Sequence, residues 1–462
     1  MNQRGGKSDK SKNGMADVKR CEFMHLEIYN LQNTLNQYSM DAKPFGTLTF
    51  SQLCSKVLMG LRRELRNMEY IEKKDKAYQR VLISMLLGSI VTFAVLYAPQ
   101  PLINVFSKQY GVSPATASAS ISLPTLALAA SLLFIPFLSR RIGRKRIMAI
   151  SLFVTSVLSI ISAFSYSFGF FLFIRLLEGI SVSGFPAIAI AYLNEEISPL
   201  SIGGTMGAYV AGTAVGGFVG RVAIGPLTDL FSWQIAFSVL GFACFLCSLY
   251  FWFYLPSSQN FKTEKTPFTK YLTALAAVLG SKRLFPIYTM GFLVMGSYIM
   301  LFNYIGYPLT KAPYHLSQTA LGFLFIVNLD GMWSSTMFGK LADHHSRKKL
   351  MGLACLIFVV GASLTLISNL WMKILGIAVF AFGFFAGHTT ASGWVGVAAP
   401  ANRKATASSL YLLFYYLGSS IIGWAGGFIW ISLHWIGLVS GIYLLMLLCY
   451  GLTFLTNETG TG

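Results

Sequence analysis

From Val81 to Leu455 the sequence is a succession of apolar stretches, each of about 20 residues, separated by short polar or basic segments. A stretch of that length and character crosses a bilayer as an α-helix. Twelve spans are predicted, near 81–106, 117–138, 147–165, 168–193, 203–227, 233–254, 285–309, 317–339, 350–368, 371–398, 405–430 and 433–455. The expected fold is an all-α polytopic membrane protein with two sets of six helices. Composition agrees: 54% of the 462 residues are hydrophobic and 11% are charged, against roughly 25% charged in soluble proteins. Too few charges are present to cover a water-soluble enzyme of this size. Residues 1–80 hold 15 Lys/Arg and 9 Asp/Glu, leaving 21 basic and 8 acidic residues for the other 382.

The net charge of +19 suggests nucleic acid until it is located. The loops at 139–146, 255–284, 340–349 and 399–404 carry 16 Lys/Arg, and the opposite loops carry only Lys108, Lys311 and Lys373. By the positive-inside rule the first set faces the cytoplasm, which puts both termini there and excludes a nucleic-acid partner. The expected divisions are a polar tail at 1–79, a six-helix bundle at 80–254, a cytoplasmic linker at 255–284, a second bundle at 285–456 and a short tail at 457–462. Met68 opens a short charged lead into the first span, so one reading starts translation there and leaves residues 1–67 outside the native protein. Of six cysteines, Cys244, Cys247, Cys355 and Cys449 lie in apolar runs and read as packing residues. No metal site and no cofactor are expected.

Two basic hinges suggest an internal duplication. Arg140-Arg141-Ile142-Gly143-Arg144-Lys145 follows the second span, and Gly339-Lys340-Leu341-Ala342-Asp343-His344-His345-Ser346-Arg347-Lys348 follows the eighth, about 203 residues on. At these residues the chain resembles the major facilitator superfamily, whose signature is G-x-x-x-D-R-x-G-R-K. The second copy keeps Gly339, Asp343, Arg347 and Lys348; the first has Pro136 in place of Gly and Arg140 in place of Asp. Arg175-x-x-Glu178-Gly179, Tyr192-Leu193-Asn194-Glu195-Glu196, the glycine-rich run from Gly212 to Gly220, Phe302-Asn303-Tyr304 and Tyr415-Tyr416-Leu417-Gly418 extend the resemblance over most of residues 80–455. Together they look like the bacterial YnfM-type branch, grouped with sugar-efflux and drug:proton antiporters. That resemblance implies alternating access by two rocking halves, a small-molecule substrate, a proton as coupling ion, a monomer, and residence in the bacterial inner membrane. The glycine-rich run is similar to an antiporter motif, but Gly216-Gly217 replaces its Gly-Pro pair and Arg221 its last Gly.

Ionisable groups deep in a bilayer cost about 2.5–3.5 kcal/mol on insertion scales, so the few present are functional candidates. Arg175, Glu178, Asp330 and His388 are the proton-coupling candidates, and Arg221 is a further membrane-embedded charge. In the resembling motif the Arg is tied to proton coupling, and Glu178 stands where Gln is common. A packing role is the alternative for each: an Arg175–Glu178 pair that positions the fourth span, an Asp330 bond to Asn328 or Ser334, a satisfied His388. Gln100 between Pro99 and Pro101, with Asn303, Tyr304, Tyr307 and His388, are substrate-binding candidates, since rings stack on and hydroxyls bond a sugar or amphipathic drug. The gating candidates are Arg140, Gly143, Arg144, Glu195, Glu196, Gly339, Asp343 and Arg347. Asp229 lies at the membrane edge and reads as a gate or loop residue. Arg140 is expected to pair with Glu195 or Glu196, and Asp343 to latch the second hinge against a helix N-terminus.

The leading functional expectation is a secondary transporter performing proton-coupled efflux of a small organic solute. An uptake symporter of the same fold is the first alternative, and a non-transporting receptor the second. An enzyme is not expected: H-E-x-x-H, G-x-S-x-G and paired intramembrane aspartates are missing from the sequence. A P-loop is missing as well.

Overall fold

The apolar stretches form helices, and prolines mark where those helices break. In this computed structural model, residues 70–198, 201–261, 268–400 and 403–456 are described. The proposed start at Met68, most of the 1–79 tail and the 457–462 tail lie outside the described residues. Pro99 and Pro101 cannot continue an α-helix, so α1 (Lys76–Tyr97) passes through a 3-10 turn at Gln100–Leu102 into α2 (Ile103–Tyr110). The second span is α3 (Pro114–Leu132), capped by Ser113, and then α4 (Ile135–Ile142). A single helix over 117–138 was expected; the break falls just before Pro136. After α5 (Arg144–Ser162) the fourth span divides in the same way, into α6 (Phe168–Val182) and α7 (Pro186–Glu196), with Pro186 at the first helical position. Helices α8 (Ile202–Leu230) and α9 (Trp233–Tyr254) are unbroken.

The stretch read as a linker, 255–284, contains a helix, α10 (Phe268–Leu279). Then come α11 (Phe285–Tyr304) and the single turn α12 (Gly306–Leu309). The eighth expected span is α13 (Gln318–Leu324), a 3-10 segment at Phe325–Leu329, and α14 (Asp330–Leu341). Helices α15 (Arg347–Leu364) and α16 (Leu370–Ala398) follow. The two expected spans at 405–430 and 433–455 run together as α17 (Lys404–Thr453), bent where His434 takes φ 52° and ψ −148°. Among the described residues nine helical segments are long and apolar enough to cross a membrane, the last of them 48 residues long. At 1.5 Å per residue its contour is about 70 Å, enough for two crossings, one on either side of the kink at His434.

The packing repeats along the chain. Helix α1 lies on α8, α3 on α6, and α5 on both α6 and α9; later, α11 lies on α17, α14 on α16, and α15 on both α16 and α17. The two sets meet where α3 packs on α17 and α8 on α13. Thr125 and Ser420 share a 2.8 Å hydrogen bond across the first of these seams.

Close approach of α8 to α1 requires the glycines of α8. A Cβ on Gly212, Gly216 or Gly220 would come within 2.7 Å of Leu86 O, 2.6 Å of Ile90 Cα or 2.5 Å of Ala94 O, respectively. The glycine-rich run that resembles an antiporter motif is thus a helix-packing face with a period of four residues. Gly216→Val should cost about 1–3 kcal/mol and lower the melting temperature of the purified protein. Gly207, with open space around its Cα, should accept Ala without change. Equal melting temperatures for Gly216→Val and wild type would contradict the packing.

Candidate functional site

The prolines around Gln100 put this polar side chain at the end of α1, facing the other half of the molecule. Its Nε2 donates to Asn303 Oδ1 at 2.9 Å, and its Oε1 accepts from Arg221 Nε at 2.8 Å. Gln100 and Asn303 are 203 residues apart, the offset of the two hinges, so equivalent positions of the repeat meet. Both are buried, as is Arg221. The Arg221 guanidinium lies 4.5 Å from the Tyr97 ring on one side and 4.5 Å from the Phe325 ring on the other, a stacked cation–π arrangement. Gln100, Asn104, Asn303, Tyr307 and Phe325 line a narrow cavity here. Of the substrate-binding candidates, Gln100, Asn303 and Tyr307 come together. Tyr304 does not join them through its hydroxyl, which donates to Gly423 O at 2.9 Å and meets Ser118 Oγ at 2.9 Å. It stitches α11 to α17 and α3.

Arg175 is fully buried and its donors are committed. Nε donates to Ser120 O at 3.0 Å, Nη1 to Val95 O at 3.1 Å and to Glu178, and Nη2 to Leu96 O at 2.7 Å. The cause lies in the sequence. Pro99 has no N–H to give Val95 O, and the helix break frees Leu96 O, so an arginine from α6 takes both. Glu178 Oε1 has no hydrogen-bond partner among the described residues.

Asp330 opens α14 after the 3-10 segment, and its Oδ1 is buried without a hydrogen bond. Neither expected partner bonds it: Asn328 Oδ1 accepts from Tyr298 at 3.0 Å while its Nδ2 donates to no described group, and Ser334 donates to Phe382 O at 2.7 Å. His388 Nδ1 is 2.9 Å from Tyr411 Oη, and its ring stacks on Phe384 and leans on Tyr415. Tyr298 stacks on Phe384 at 4.0 Å. Sequence reasoning did not assign Tyr97, Tyr298, Tyr411 or Tyr415 to the site. The available signal was Tyr97 and Tyr298 in the spans already carrying Gln100 and Asn303; Tyr411 and Tyr415 come from the next span after the one carrying His388.

The hinges differ. Gly143, at φ 99°, ends α4 and starts α5 in a backbone conformation suited to glycine. Arg144 holds Glu195 through two bonds, Nε to Oε2 at 3.0 Å and Nη2 to Oε1 at 2.6 Å, and donates to Ser139 Oγ at 2.8 Å. The side chain of Arg140, the expected partner, lies outside the described residues; the pairing of Glu195 on the page is with Arg144. Glu196 accepts from the Asn260 N–H at 3.0 Å. In the second hinge Asp343 is exposed and its carboxylate accepts no hydrogen bond among the described residues; Arg347 Nε is likewise unbonded. Gly339 lies in α14 with Thr389 no nearer than 3.9 Å to an added Cβ. At the opposite ends of the helices, Asp229 accepts from Gln318 N at 3.2 Å, Thr319 N at 2.7 Å and Thr319 Oγ1 at 2.6 Å. This carboxylate joins the end of α8 to the start of α13.

A charge exchange separates the two arginines of the first hinge. Arg144→Glu should reduce thermal stability, and adding Glu195→Arg should recover part of it, with a coupling of about 1 kcal/mol or less for a pair this close to the surface. The same cycle with Arg140→Glu tests the expected Arg140 pairing: partial recovery by Glu195→Arg or Glu196→Arg supports it, and additivity removes it. Additivity in the Arg144 cycle would remove the pair.

The profile of the Major Facilitator Superfamily matches residues 85–329. The chain is 41% identical over 386 residues to the uncharacterized MFS-type transporter YybF of Bacillus subtilis, covering 84% of this chain and 95% of that protein. It is 38% identical over 381 residues to the inner membrane transport protein YnfM of Escherichia coli, covering 82% and 91%. A probable sugar efflux transporter of Helicobacter pylori is 24% identical over 322 residues, covering 66% and 77%. Among solved structures, a bacterial homologue of the human lysosomal transporter Spinster, inward-facing and occupied, superimposes with a TM-score of 0.68 at 15% identity, covering 83% of this chain and 97% of that one. The profile over residues 85–329 and the relatives at 41% and 38% identity show that the chain belongs to the major facilitator superfamily of membrane transporters.

Proposed function

We propose that this transporter exports a small organic solute from the cytoplasm in exchange for protons, by alternating access across the bacterial inner membrane. The observation that carries the reading is Asp330, a membrane-embedded carboxylate with a buried oxygen that no group among the described residues satisfies. Such a group can take up and release a proton, whereas a carboxylate locked into a network cannot do so without breaking it. Glu178 Oε1 shares this property, with Arg175 beside it as a positioning partner. Twelve spans with both termini cytoplasmic fit the 16-to-3 loop charge contrast. The seams between the halves also fit a state closed to the outside: Gln100–Asn303 and Asp229–Thr319 cluster at the ends remote from the basic hinges. The exposed Asp343 in the second hinge agrees with an open cytoplasmic side. Export rather than uptake rests on the likeness to sugar efflux transporters. The two repeated sets of helices reside in one chain, as a monomeric transporter needs.

Asp330→Asn should abolish solute movement driven by an imposed pH gradient in proteoliposomes while solute exchange at equal pH continues. Gradient-driven flux equal to wild type in that variant would overturn proton coupling through Asp330.

A further inference from the structure

The Arg221 guanidinium is a cation in the membrane interior without an anion. No carboxylate lies within 4.0 Å of it among the described residues; of the buried carboxylates of the first half, Glu178 is held by Arg175 and Glu196 accepts from the Asn260 N–H. Its bonds go to neutral acceptors, Gln100 Oε1 at 2.8 Å and Gly217 O at 2.7 Å. Of the five N–H donors of a guanidinium the protein therefore uses two, and Nη2 donates to no described group. Arg221 is 5% exposed, so it is not hydrated as a surface arginine is. The faces of Tyr97 and Phe325 offset part of its charge, but ring faces do not replace a counter-ion for a desolvated cation.

The surroundings are those of a site. Tyr97 and Gln100 come from the first half and Phe325 and Asn303 from the second, so a ligand on Arg221 would touch both. Asn303 Nδ2 is buried and unbonded, a second donor one link away through Gln100. Tyr298 and Tyr415 are within electrostatic reach of the guanidinium. The sequence had marked Arg221 as a departure from the antiporter-like run, where a glycine is usual.

We infer that Arg221 is the charge-recognising group of the transport site and that the cargo is a small organic anion, bearing a carboxylate or phosphate. The anion accepts from the free edge of the guanidinium, and its carbon body lies against the tyrosine and phenylalanine rings. This inference rests on the transport reading above and narrows its substrate class.

The test uses the full chain in detergent, without any pH gradient. Thermal protection is measured with the anions benzoate, succinate and glucose 6-phosphate, with neutral benzamide and glucose, and with cationic tetraphenylphosphonium. At least one anion should protect the wild type saturably, and the neutral and cationic probes should not. R221Q should bind that anion at least tenfold more weakly, and R221K should fall between. No saturable protection by any of the three anions, equal protection by benzamide and benzoate, or unchanged anion binding in R221Q would each overturn the proposal. If R221Q does not fold, the probe comparison in the wild type and the R221K affinity still decide it. Binding is read apart from flux. Anion-selective binding without proton-driven movement would sink the exporter reading alone, and proton-driven movement of neutral or cationic probes only would sink this inference alone.

Discussion

A bilayer gives an unsatisfied polar group no water to turn to, and the positions of the buried charges follow from that. Arg175 shows the consequence most fully. Pro99 breaks the first span and leaves the carbonyls of Val95 and Leu96 without their helical donors, and the guanidinium from α6 supplies them along with Ser120 O from α3. One side chain thereby joins three helices at the point where the first of them bends. Glu178 then neutralises a cation that would otherwise be stranded. The same break lets Gln100 reach across the molecule to Asn303.

The site is built on the seam between the two sets of helices. Small residues bring backbones together there: Gly322 of α13 lies against Arg221 O, and Gly225 of α8 against Gln318 O. Asp229 closes the same seam further out by accepting the free N–H groups at the start of α13, a favourable place for an anion. These contacts would have to part for the seam to open. The inner hinges are asymmetric, with Arg144 bound to Glu195 in the first and Asp343 exposed in the second. Arg144 with Glu195 ties the first hinge to the end of α7.

The helical multi-pass fold and the family were legible in the sequence because both depend on local pattern. Runs of apolar residues dictate spans whatever packs beside them, and the hinge residues Gly339, Asp343, Arg347 and Lys348 sit at fixed short spacings. Prolines at 99, 136 and 186 announced breaks, although the expected spans at 117–138 and 168–193 were drawn through the last two. Candidates chosen because charge is rare in a membrane, such as Arg175 and Asp330, were found for a sound physical reason. Their partners were not foreseeable from the pattern.

Partners are set by which faces meet, and tertiary structure alone decides that. That Glu195 meets Arg144 depends on the turn at Gly143, which no spacing rule resolves. Tyr304 and Tyr307 are three residues apart, yet one hydroxyl is spent on Gly423 and Ser118 while the other ring lines the cavity. Arg221 read in sequence as a departure from a glycine motif. Only the packing of α8 on α1 and α13 sets its guanidinium between Tyr97 and Phe325 with no carboxylate at hand among the described residues, because Gly216 and Gly220 admit α1 beside it and Gly225, one turn on, admits α13.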